Sequence, residues 1–261
     1  MDARLTVLLA AFFCASAACA FDHSHAAWDA LLRKHVVVLE GGKASQLDYA
    51  ATMRDRAQLH RYLGSLSSVA ADEFKSWSRA HQMAFLINAY NAFTVEKILT
   101  RYPDIGSIWD FGKLFGNPFK DEFFTLLGAK ASLDAIEHGM LRKSYREPRV
   151  HYAVNCASIG CPMLREEAYV AEALERQLEE QARRFLSDRS RNRFRDGRLE
   201  LSKIFDWFKE DFEPRPAYFA RHAALLSDDP GGQKLIADGK APLRFLEYDW
   251  TLNDSRSSSL R

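Results

Sequence analysis

The sequence predicts an α+β fold: a helix-rich single domain with a small, mostly antiparallel sheet. Three observations predict it. Residues 78–100 carry apolar side chains round almost the whole of a helical cylinder, the pattern of a buried central helix. Short β-branched or alternating runs recur beside Gly turns, as at 36–42 and 194–204. Between residues 21 and 253 there is no internal repeat and no break in composition that would divide two domains. With 36 Lys and Arg against 35 Asp and Glu, the chain lacks the strongly basic balance of a protein held to nucleic acid by phosphate attraction. At 47% hydrophobic, its 261 residues are ample for a buried core and are not those of a disordered tail.

Residues 1–20 read as a signal peptide. Asp2 and Arg4 precede an apolar run from Leu5 to Ala18, and small residues at 18 and 20 suit cleavage after Ala20. That run is short for a transmembrane helix, and no later stretch is long enough to span a bilayer. The mature chain is therefore expected to be exported, periplasmic or secreted. Removal of the signal takes away Cys14 and Cys19, leaving Cys156 and Cys161 for an oxidising compartment. It also creates the terminus Phe21-Asp22-His23. An amine, two backbone amides and the His23 imidazole form a square-planar set suited to Cu(II) or Ni(II); the alternative is a histidine on a frayed end.

Trp28, Leu31 and Leu32 stand at helical spacing over 26–35, and Val36 to Leu39 read as a strand ended by Gly41-Gly42. Helical intervals recur from Tyr49 to Leu66, with Ser68 or Asp72 as candidate caps for the next helix. In the 78–100 helix, Asn88 and Asn91 share one face. Buried amides must be hydrogen-bonded, so that face meets either a polar site or a loop that it clamps. Residues 101–130 are rich in Gly and Pro yet dense in aromatics, hence an ordered loop region. Ser132 opens a helical run to Arg142 that carries Glu137 and His138, and Pro148 introduces an expected buried strand from Val150 to Cys156. Residues 164–186 read as one long helix with an apolar stripe. The arginines of 183–198 are interleaved with Asp188 and Asp196 and read as a solvated surface. Phe194 to Ile204 form a hairpin closed by Asp196-Gly197, Ser202 or Asp206 caps a helix containing Trp207, Phe208 and Phe212, and Arg244 to Trp250 alternate as a last strand. Residues 254–261 are a polar tail.

The chemistry concentrates in residues 151–162 (HYAVNCASIGCP), where an apolar segment delivers Cys156 into a Ser/Gly/Pro turn. Three readings stand side by side. Cys156 is a nucleophile with His138 or His151 as base; Cys156 and Cys161 form a disulfide that pins the turn; or His138, His151 and the two cysteines bind zinc, at spacings wider than usual. There is no G-x-S-x-G, P-loop or H-E-x-x-H, and no cofactor is called for.

The runs at 84–92 (AFLINAYNA), 132–142 (SLDAIEHGMLR), 149–162 (RVHYAVNCASIGCP), 201–208 (LSKIFDWF) and 245–250 (FLEYDW) resemble, in the same order, the family called domain of unknown function 547. That family occurs in exported bacterial proteins and as a C-terminal domain in plants. The likeness covers about residues 49–253, with Leu86 where tryptophan is common. Members look distantly similar to papain- or transglutaminase-like cysteine enzymes, which implies a Cys156 nucleophile. In those enzymes histidine follows cysteine, whereas here the only later histidine is His222, outside the motifs. A permuted arrangement is implied, with His138 or His151 as base, Glu137 as orienter and Asn88 or Asn155 as oxyanion donor; Asn91 and Ser158 complete the polar site. The expectation is thus a thiol-dependent hydrolase or acyl transferase acting on amide or ester bonds of a small-molecule or peptide substrate. The alternative is a non-enzymatic envelope binding module with a structural Cys156–Cys161 disulfide.

Overall fold

The run from Met83 to Leu99 is buried at every position except Glu96, as expected of a helix apolar on all sides. A computed structural model describes residues 20–112 and 116–256, so residues 1–19 of the segment expected to be a signal peptide, and the tail beyond 256, lie outside the described residues. The central helix spans Arg79–Leu99, and Ser78 caps it by accepting from the His81 amide. Around it pack helices Ala26–His35, Tyr49–Arg54 and Arg56–Ser68, the last two dividing the single helical stretch expected there. Neither Ser68 nor Asp72 caps helix Ala71–Ser76, whose N-cap is Ala70.

Among the described residues the strands form three small sheets rather than one. Strands β1 (Val36–Leu39) and β2 (Ala44–Leu47) are an antiparallel pair, as are β3 (Phe124–Leu126) and β4 (Ala129–Ala131). In the third sheet β5 (Arg193–Arg195) and β6 (Arg198–Leu201) are antiparallel, and β7 (Leu243–Phe245) lies parallel to β6. Asp196 and Gly197 have φ of 49° and 73°, both positive as a type I′ hairpin turn requires. The expected last strand is confined to 243–245.

Two other expectations are corrected. Residues 150–156 are not a strand. Pro148–Tyr152 is a 3₁₀ turn, with Pro at its start and the Glu147 side chain accepting from the Arg149 amide. The segment beyond it is in no strand: Ala153 and Val154 donate back to Val150 O, and the Asn91 side chain meets Ala153 O and the Asn155 amide. The helix expected from 164 begins only at Leu174. Gln177 reaches back to accept from the Val170 amide and to donate to Ala168 O, which holds 168–170 extended. Ala135–Arg142, expected as an ordinary helix, is a π-helix.

Two apolar clusters build the core. The larger surrounds the central helix; the smaller gathers Tyr152, Phe185, Phe205, Phe212 and Phe219. No helix among the described residues is long and apolar enough to cross a membrane. His23 is not frayed: its ring packs 4.5 Å from that of Trp77 and 4.3 Å from that of His81, between centroids.

Candidate active site

Where the two clusters meet, a cavity of about 560 Å³ opens, lined on one side by Tyr90, Glu137, His138 and His151 and on another by Cys156, Cys161 and Tyr248. The π-helix supplies Glu137 and His138, and the 3₁₀ turn that starts at Pro148 supplies His151. Proline fixes the start of that turn, so His151 sits on a short rigid element rather than a mobile loop.

His151 is buried, and its ring stacks on Phe208 at 4.0 Å between centroids. Its Nε2 lies 2.6 Å from Asp211 Oδ2. Its Nδ1 is 3.7 Å from Glu137 Oε1 and has no hydrogen-bond partner. Burial disfavours the imidazolium, but Asp211 and Glu137 outweigh it and raise His151 above the ordinary histidine value. The same balance holds the carboxylates down. Burial opposes it, yet His151 and Arg142 bring Asp211 well below the carboxylate range, and His151, with help from His138 and Tyr90, lowers Glu137. Arg142 forms a two-pronged pair with Asp211 and also donates to His138 Nδ1 at 2.7 Å.

Cys156 and Cys161 are joined by a disulfide, with Cα atoms 6.3 Å apart. The Cys156 amide donates to Cys161 Sγ, and Tyr248 Oη lies 3.3 Å from Cys156 Sγ and 3.2 Å from Cys161 Sγ. Ser158 Oγ stands 3.2 Å from Cys156 Sγ and is buried behind the bridge. Residues 248–253 strap this loop: Ile159 and Gly160 donate to Thr251 O and Asp249 O, both at 2.8 Å. A Cβ on Gly160 would stand 2.9 Å from Asp249 O, so the close approach needs glycine.

Of the residues singled out by sequence, Glu137, His138, His151, Cys156 and Cys161 come together at the cavity. The asparagines do not. Asn88 donates to Tyr169 O at 2.7 Å and accepts from Tyr169 N at 3.0 Å. Asn91 donates to Ala153 O at 3.0 Å and accepts from Asn155 N at 2.8 Å. Asn155 donates to Pro162 O and accepts from the Ala157 amide, both within the loop. The oxyanion role expected of Asn88 or Asn155 is therefore corrected: each amide ties backbone that lacks a ladder partner. A zinc site is not formed either, since the cysteines are bridged and the described residues hold no group of three His, Cys, Asp or Glu placed for a metal.

Asp211 carries no sequence signal, because it lies 60 residues beyond His151 in a short 3₁₀ turn, with no motif around it. The aromatic wall of Trp109, Phe119, Trp207, Phe208, Tyr248 and Trp250 also comes from separate segments, although Trp207, Tyr248 and Trp250 stand in the family-like runs at 201–208 and 245–250. No curated protein and no solved structure matches the chain. The model of a family described as "Protein of unknown function, DUF547" matches residues 74–186, the stretch that carries the Asn, Glu-His and Cys segments, and supports that family for this chain.

Proposed function

We propose that the chain is an exported thiol-dependent hydrolase or acyl transferase acting on amide or ester bonds, with Cys156 as nucleophile held latent in its bridge to Cys161. The observation that carries this reading is that Glu137, His138, His151 and Cys156 line one cavity. His151 is the acid–base group. Its Nε2 is fixed by Asp211, which leaves the unpartnered Nδ1 for proton transfer, the nucleophile, base and orienter logic of covalent catalysis.

A dithiol reductant opens the bridge by exchange, giving two thiols and its own disulfide. The Cys156 thiolate attacks the substrate carbonyl, forming a C–S bond. The amine or alcohol leaves with a proton from the His151 imidazolium, and water or a second nucleophile then takes the acyl group and restores the thiol. The implied likeness to papain- or transglutaminase-like enzymes agrees with these roles.

A second reading, an envelope binding module, is favoured by the bridge itself, which joins a loop already strapped by 248–253. Reduction separates the two. The thiol enzyme turns over nitrophenyl esters or peptide anilides only after reduction, and Cys156→Ala lowers the rate about a thousandfold or more. Equal turnover in Cys156→Ala, or none after reduction, supports the binding module instead.

A further inference from the structure

The six aromatic side chains of the cavity wall are more than packing. Trp109 and Trp207 are 40% and 46% exposed, unusual for the largest apolar side chain, and both stand at the cavity. Trp207 stacks on Trp250 at 5.7 Å and contacts Tyr248 at 4.8 Å, while Trp109 meets Trp250 edge to face at 5.3 Å. The result is a set of ring faces at differing angles about one opening.

The charges give that opening a sign. Among the described residues lining the cavity there is no Lys or Arg, while Asp134 and Glu137 both line it. Arg142, whose guanidinium lies 5.0 Å from the Phe208 ring centroid, is paired with Asp211, and Arg191, which acts on Tyr248, is paired with Asp188. The His151 imidazole lies between Asp211 and Glu137. Counting Asp134, Glu137 and Asp211 against Arg142 and the His151 imidazolium leaves Asp134 uncompensated, and it has no hydrogen-bond or ion-pair partner among the described residues. A half-buried carboxylate without a partner, facing a cavity walled by π-faces, is complementary to an organic cation and repels an anion.

We propose that the cavity binds the guanidinium or ammonium group of its ligand, holding the cation against the Trp207, Tyr248 and Trp250 rings with Asp134 as counter-charge. Under the thiol reading this makes the substrate a basic peptide or an amine-bearing ester or amide. The inference rests on this cavity being the working site and not on the reaction performed there.

The test uses the mature protein with its disulfide intact, so that no thiol chemistry contributes. Nα-acetyl-arginine amide is titrated by calorimetry and tryptophan fluorescence, alongside the neutral isostere Nα-acetyl-citrulline amide. The arginine probe is expected to bind at least about tenfold tighter. Asp134→Asn is expected to reduce that preference to about twofold or less without moving the melting temperature, and Trp207→Ala to weaken binding of the arginine probe about fivefold or more. Equal affinity for the two probes, absence of binding by the arginine probe at 10 mM, or a tenfold preference that survives in Asp134→Asn overturns the proposal. Binding of the cation by a protein that never becomes active on reduction leaves this inference standing and removes the thiol reading; activity on reduction with no cation preference does the reverse.

Discussion

Replacing Asn91 by alanine tests whether the asparagines of the central helix are clamps. Asn91 is 2% exposed and serves two backbone groups of the segment leading to Cys156: the Ala153 carbonyl and the Asn155 amide. Ala153 and Asn155 are themselves 0% and 4% exposed, so bulk solvent does not reach the groups the amide served. Each buried backbone group left unpaired costs about 1–3 kcal/mol, and no longer burying the Asn91 amide returns part of the sum. The expected loss is about 3–4 kcal/mol. Urea denaturation followed by tryptophan fluorescence, with the disulfide intact, reads it as a lower midpoint at unchanged slope. Asn91→Asp adds a directional check. Its ionised carboxylate faces the Ala153 carbonyl without a proton to donate, whereas the protonated acid has one, so this variant gains stability relative to Asn91→Ala on acidification. A loss below about 1 kcal/mol in Asn91→Ala, by the same scale, refutes the clamp and leaves the amide free to act as a donor elsewhere.

Two histidines give pH signatures of opposite sign. Burial lowers His25 to about 4, and it packs against Tyr62 with Nδ1 2.7 Å from the hydroxyl. Its neutral form is favoured by folding, so its contribution is complete above the unfolded value of about 6.5 and is lost as pH falls from there through 4. That amounts to about 3 kcal/mol; denaturation midpoints of the wild type and His25→Gln should converge over this window, and a constant gap contradicts it. His151 is raised, so its contribution is complete below 6.5 and lost as pH rises through its folded value. Asp211→Asn should flatten that alkaline decline in midpoint, and an unchanged decline counts against the Asp211–His151 pair.

The elements legible in the sequence are those decided by local pattern. The central helix is apolar on all sides, so burial and helicity agree at each residue. The Asp196-Gly197 hairpin is specified by two positive φ values that few residue pairs tolerate. The segment 150–156 departs from its pattern for a physical reason: an apolar, partly β-branched run satisfies the strand signal, but its backbone partners are the side chain of Asn91 and the turn after Pro148. Likewise the apolar stripe after 164 agrees with a helix, while Asn88 and Gln177 hold 168–170 extended from a distance. At the site, Glu137, His138, His151 and the cysteines are legible because they cluster within 25 residues. Asp211 and Trp109 are not, because only the fold brings them to the same region; Asp134 stands one helical turn before Glu137, within the 132–142 run, but nothing in the sequence marks it as a wall residue. The asparagines show the converse. A polar residue on a buried helix face signals a fixed partner, but the sequence does not say whether that partner is substrate or backbone.

The proposed chemistry depends on Cys156 becoming a poised nucleophile once its bridge is opened. The most direct measurement is the iodoacetamide alkylation rate of the reduced protein between pH 4 and 9, with each modified cysteine assigned by peptide mass. The thiol reading predicts that Cys156 reacts first, with an apparent pKa at least about two below the ordinary 8.5, and that His151→Ala moves it back toward that value. If Cys156 instead titrates near 8.5 or above, with no response to His151→Ala, or stays unreactive after the bridge is reduced, the thiol reading is contradicted.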